Sequence, residues 1–205
     1  MATRVMDYLE DLEARIDPAV EDGLLAAWKE FTFGRSREPL FRPARSRKAP
    51  PRIEWPGVDV NDALADFDAM ALQQFSGCSR AIADGTGHFM AVRSNYGTSI
   101  MPSVFGAELF VMDKALNTLP TSRPLAGGQD AFKRLVRRGV PELRTGQGAL
   151  VFEMGQRFLD LMKPYPRIRR YVHVYHPDMQ GAMDVCELLW GSGMFLDLFD
   201  APDEA

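Results

Sequence analysis

Residues 171–191, YVHVYHPDMQGAMDVCELLWG, constrain the fold more than any other stretch. Residues 171–175 alternate apolar and polar side chains with β-branched and aromatic types, the pattern of a strand. Residues 176–181 are a polar elbow around Pro177 and Gly181. Residues 182–189 are apolar at helical spacing, with Asp184 near the start and Gly191 past the end, as helix termini prefer. Strand, polar loop and helix in that order are the unit of an α/β fold, where ligands bind in the loop after the strand's carboxyl end. His176, Asp178 and Gln180 occupy that loop. The competing reading is that they only turn the chain and cap the helix.

The same alternation runs through the rest of the chain. Residues 5–31 are amphipathic at helical spacing, carried by Val5, Leu9, Leu12 and Ile16. Asp17-Pro18 interrupts them and predicts a second helix with Asp17 as N-cap and Pro18 at its first position. Leu24, Leu25, Trp28 and Phe31 form that helix's apolar face, and Gly34 ends it. Residues 39–41 are a short strand candidate. The run 42–52 carries four Arg, one Lys and three Pro, and reads either as a solvated loop or as an anion clamp. Residues 62–83 read as one long helix, 88–92 as a strand and 108–112 as another. Residues 129–138 and 146–162 read as helices, and 194–199 begin a last one. Long helical periods alternate with short apolar runs, and no hairpin signal appears, so the expected class is α/β with three or four parallel strands. A closed eight-stranded barrel takes about 250 residues, against 205 here. The expectation is therefore a small open sheet or the first part of a larger barrel. An open sheet edge predicts a marginal monomer or a homodimer formed through that edge.

Bulk properties exclude several classes. A net charge of −4 offers no electrostatic argument for nucleic acid. No run of about 18 apolar residues exists, so no membrane partner is expected. The first ten residues are acidic and lack an apolar signal core, which makes the cytoplasm the expected compartment. Cys78 and Cys186 lie far apart without metal-ligand spacing. His173 and His176 are three apart, and on a strand that spacing points the rings to opposite faces. No metal site and no cofactor are expected.

His176 stands at the loop, with a near-neutral pKa suited to acid–base work. Asp178 could orient its ring or act itself. Glu187 and Asp184 share a face of the following helix. A second polar loop follows residues 88–92. There Arg93 could pair with a substrate carboxylate, and Asn95 and Tyr96 offer hydrogen bonds and a stacking surface; the alternative is a simple turn. In a parallel sheet both loops would leave the same edge, bringing Arg93, Asn95, Tyr96, His176, Asp178 and Gln180 toward one pocket.

Residues 95–106 (NYGTSIMPSVFG), 177–191 (PDMQGAMDVCELLWG) and 195–202 (FLDLFDAP) resemble the uroporphyrinogen decarboxylase superfamily, closest to its divergent bacterial branch with an N-terminal helical extension. The likeness covers 59–205, and 1–37 fit the extension. It implies a partial (β/α) TIM-type barrel over 38–205, the N-terminal portion of the fold, with its cleft at the strands' carboxyl ends. The implied chemistry is cofactor-free decarboxylation of tetrapyrrole acetate side chains, a carboxy-lyase reaction in which cationic and acid groups stabilise developing charge. An early arginine-rich segment of the family handles substrate carboxylates, and Arg42 and Arg45 echo it here. The family's essential aspartate falls at Gly97, and its tyrosine before the final glycine falls at Glu187. The candidate catalytic residues are His176, Asp178 and Glu187, and the candidates to hold a carboxylated substrate are Arg42, Arg45, Arg93, Asn95, Tyr96 and Gln180. The alternatives are a corrinoid-dependent methyltransferase of the same superfamily, or a catalytically inactive fragment acting as a binding module.

Overall fold

The structure is a computed structural model that describes residues 2–35 and 40–200. In chain order its elements are α1 (Ala2–Arg15), α2 (Pro18–Thr32), α3 (Val60–Ala65), α4 (Phe67–Asp84), β1 (Met90–Val92), α5 (Ile100–Val104), β2 (Leu109–Phe110), β3 (Thr121–Ser122), α6 (Gly128–Arg138), α7 (Gly146–Met162), α8 (Pro166–Tyr171), β4 (Val172–Val174), α9 (Ala182–Trp190) and α10 (Met194–Asp200). The class is mixed α/β. The described strands form two separate two-stranded sheets and close no barrel. The chain divides into two bodies, one of Met1–Arg93 with Gly155–Tyr175, the other of Ser94–Met154 with His176–Ala205. Arg37, the expected end of the helical extension, and Pro39 of the expected strand 39–41 lie outside the described residues, and Leu40 and Phe41 carry no strand.

In the first body the spacing of Val5, Leu9, Leu12 and Ile16 delivers one fully buried stripe on α1. Each such side chain contributes about 1.5–3 kcal/mol relative to exposure. Asp17 caps α2 as its sequence predicts, its carboxylate accepting from the Ala19 N–H at 3.0 Å. Residues 62–83 do not form one helix. Asp66 breaks them, leaving the helical region at φ −140°, ψ 127° and accepting from the Ala69 N–H at 2.8 Å. An aspartate suits an N-cap better than a helix interior. Leu64 and Phe67 keep helical spacing across the break, which hid it.

The strand expected at 171–175 is shorter, because Tyr171 closes α8. Pro166 starts that helix at its first turn. The N–H groups of Arg167 and Ile168 are received by the carboxylate of Glu13 on α1, at 2.8–3.1 Å. β1 and β4 pair in parallel, Met90 opposite Val172, Ala91 opposite His173 and Val92 opposite Val174. Met90, Val92 and Val172 are buried, whereas Ala91 and His173 on the other face are exposed. Phe89 and Tyr175 extend that uncovered face, at 38% and 52% exposure. A run of rings continues from it: Phe89 lies 5.6 Å from Trp28, which lies 4.9 Å from Phe41, which stacks on Phe31 at 4.2 Å.

In the second body α9 packs against α5 and α6. Phe132 stacks on Trp190 at 5.0 Å, and the Leu125 N–H donates to the Leu189 carbonyl at 2.7 Å. The Ser103 hydroxyl accepts from the Gln147 N–H at 2.9 Å, satisfying one of the donors left over at the start of α7. β2 and β3 pair antiparallel, Leu109 opposite Ser122, which corrects the expectation of parallel strands alone. Their long connection carries no two-residue hairpin turn, so no local signal announced the pairing.

Candidate functional site

The geometry of β1 and β4 sets where the two polar loops begin. The parallel register runs to the last strand residues, and the Tyr175 N–H donates to the Val92 carbonyl at 2.8 Å. The chain therefore leaves the sheet side by side at Arg93 and Tyr175, as two adjacent parallel strands must. Both loops that follow, from Ser94 and from His176, belong to the second body.

The loop after β1 is anchored by hydroxyls. Ser94 is buried and donates to the Val151 carbonyl at 2.9 Å. Ser99 is fully buried and donates to the Pro120 carbonyl at 3.0 Å. Tyr96 is 2% exposed, so its ring is part of the body's interior. Asn95 is half-buried, and its Oδ1 is sealed from solvent without a hydrogen-bond partner, as are the Ser122 hydroxyl and Gln147 Oε1 in the same body. A buried acceptor in that state costs about 1–3 kcal/mol, and such groups ask for an explanation. Gly97 adopts φ +78°, and a Cβ there would sit 3.1 Å from the Leu119 Cβ. An aspartate at this position would meet both the left-handed backbone and that side chain.

In the second loop His176 is exposed, and its Nδ1 lies 2.8 Å from the Pro177 carbonyl. A carbonyl only accepts, so in this contact the ring nitrogen donates. Asp178 and Gln180 are half-buried. Asp184 reaches back to the Gly181 N–H at 3.2 Å and caps the start of α9. Glu187 is half-buried and accepts from the Ser192 hydroxyl at 2.7 Å, tying the turn after α9 to the helix.

The arginines lie in the first body. Arg93 is half-buried, and its N–H donates to Gln74 Oε1 at 3.2 Å. Arg42 is exposed. Arg45 is buried, and its guanidinium grips the Glu21 carboxylate with two bonds of 2.7 and 2.9 Å while also donating to the Thr86 and His88 carbonyls. That guanidinium is committed to the fold, which corrects its reading as a substrate clamp. The run 42–52 is a largely exposed loop, as the solvated reading expects, but it is tied down along its length. It is a strap: Arg47 pairs with Asp17, the Ala49 carbonyl accepts from Arg15, and the Arg52 N–H donates to Asp11. Arg15 itself is buried between Asp11 and Ser79. Its four-residue spacing from Asp11 was a readable helix pair; Ser79, far along the chain, was not.

The six polar residues Asn95, Tyr96, His176, Asp178, Gln180 and Glu187 thus share the second body. None lines the cavity of about 720 Å³ in the first body, beside β4 between Leu159, Met162, Lys163, Arg169, Val172, His173 and Val174. Among the described residues no three His, Cys, Asp or Glu side chains group to hold a metal ion, and no helix is long and apolar enough to cross a membrane. Two thiols are present. Burial pushes Cys78 up to about 12 and raises Cys186 as well, so neither is an activated nucleophile. No protein-family description, curated protein or solved structure matches the chain.

Proposed function

We propose that the chain is a uroporphyrinogen decarboxylase-like protein that binds a carboxylated small molecule of the tetrapyrrole class at the loops following β1 and β4. The observation that carries the reading is the parallel pairing of β1 with β4 up to the Tyr175-to-Val92 hydrogen bond. Ligands of parallel α/β folds sit at that end of the strands. The buried Asn95 Oδ1 without a hydrogen-bond partner adds support, because a donor on a ligand would satisfy it.

In this reading His176 moves the proton, with Asp178 two residues on in the same loop. Arg42, Arg45 and Arg93 belong to the first body, so the reading rests on the second body's residues alone. Gln180 contributes polar surface, Tyr96 packs inside the body beneath the loop, and Glu187 acts only if it leaves its bond with Ser192. A TIM-type barrel is the fold this function implies. A binding module without turnover is the second reading. It is favoured by Gly97, which stands where the family has its aspartate and whose left-handed backbone and 3.1 Å approach to Leu119 disfavour a side chain there.

Titration with uroporphyrin and coproporphyrin, followed by absorbance and tryptophan quenching, tests the binding. A uroporphyrinogen turnover assay then separates enzyme from module. Saturable binding that survives in His176→Ala, with turnover lowered about 10²–10⁴-fold, supports the enzyme. Binding without turnover supports the module. Absence of saturable binding to either porphyrin sinks both.

A further inference from the structure

Helix α6 is amphipathic yet buries none of its residues. Its sequence GQDAFKRLVRR sets Phe132, Leu135 and Val136 in one stripe, with Lys133, Arg134, Arg137 and Arg138 around it. Phe132 rests on Trp190, but Val136 is 63% exposed and Val140, just past the helix, is 92% exposed. Beside them lies an apolar groove of about 300 Å³, floored by Phe105, Leu135, Val185 and Leu189, with the half-buried Cys186 in its wall.

The same body carries a helix with the opposite character. In α10, MFLDLFD, Met194 is buried while Phe195, Leu196, Leu198 and Phe199 are exposed by 53%, 70%, 37% and 86%. At 3.6 residues per turn those four share one face. Asp197 and Asp200 lie outside it. Contiguous apolar surface of this kind marks an interaction site.

We infer that α10 of a second copy of this chain seats in the groove between α6 and α9, and that the exchange is mutual, giving a two-fold homodimer. The fit is one of shape class and charge. An amphipathic helix enters an apolar groove through anchors at i, i+3 and i+4, and Phe195, Leu198 and Phe199 have that spacing. The groove's rim is cationic on α6 and the helix is anionic, so the approach is attractive and the register is set by Asp197 and Asp200. Both halves are on one chain and, among the described residues, each lacks cover, as a self-complementary interface requires.

Light scattering and sedimentation of the full chain test the proposal, with Cys186 as a second reporter. The chain has two cysteines, and Cys78 is wholly buried, so maleimide uptake reads Cys186. The expected result is a concentration-dependent dimer that weakens with salt, with Cys186 labelling several-fold slower in the dimer. Leu196→Asp with Phe199→Asp should give a monomer, and so should Arg137→Glu with Arg138→Glu. All these side chains are exposed, so circular dichroism should stay native. Adding Asp197→Lys and Asp200→Lys to the α6 charge reversal should restore the dimer. A strict monomer with Cys186 protected at every dilution means that α10 covers its own groove, and overturns the proposal. A strict monomer with Cys186 reactive points to a foreign partner and also overturns it, as does a dimer indifferent to these substitutions.

Discussion

Removing one half of the Arg45–Glu21 pair leaves the other charge inside the first body without its counter-ion. Both side chains are almost wholly buried, and the bond is doubled at 2.7 and 2.9 Å. Breaking a buried pair from one side costs about 3–5 kcal/mol, far more than breaking a surface pair. Glu21→Ala should therefore lower the unfolding free energy by an amount of that order and the urea midpoint with it, while Asp22→Ala, whose partner Arg170 is exposed, should move the midpoint little. Equal midpoints for Glu21→Ala and wild type would show that the pair holds nothing. The contrast also explains why Arg45 was misread from the sequence. Charge and local composition make it look like its neighbour Arg42, and its partner sits 24 residues earlier with no periodic relation to it.

Among the elements, α8 depends most on a residue from elsewhere. Its six residues are too few to stand alone, and its first N–H groups are received by Glu13 of α1 rather than by a local cap. Glu13→Ala should cost about 1 kcal/mol, the value of an N-cap. It should also speed amide exchange selectively at Arg167 and Ile168. Unchanged exchange there would refute the capping role. The helices α1, α2, α7 and α9 were legible because each keeps an apolar stripe or a local cap within a single window of sequence. The length of β4, the identity of α8 and the β2–β3 pair were not, because long-range partners create them. The two polar loops were found from their position after apolar runs. What their side chains touch, such as Ser192 for Glu187 and the Val151 carbonyl for Ser94, follows from packing that no periodicity records.

For the molecule as a whole, alkaline pH is the informative stress. Cys78 is held neutral by burial, with its pKa pushed up to about 12, and burial also raises Tyr165. The native state therefore keeps protons that the unfolded chain releases, so these groups cost no stability below about pH 8.5 and reduce it progressively above. Cys78 alone predicts a loss of about 3 kcal/mol by pH 11. Urea midpoints between pH 8 and pH 11 should fall accordingly, and Cys78→Ala should flatten the decline; a wild-type midpoint constant over that range contradicts it. The first body is also discontinuous in sequence, and this has a bearing on its biosynthesis. Tyr165 reaches Met6 across 159 residues, and Glu13 waits for Arg167. While the chain is being made, α1 and α4 emerge with the surfaces meant for α7, α8 and β4 still uncovered. Contacts this distant in sequence form late and slowly. The growing polypeptide is thus at its stickiest in mid-translation, and a holdase on the ribosome would find a binding site on Phe75 before Phe158, the ring it meets edge-on at 5.8 Å, has been polymerised.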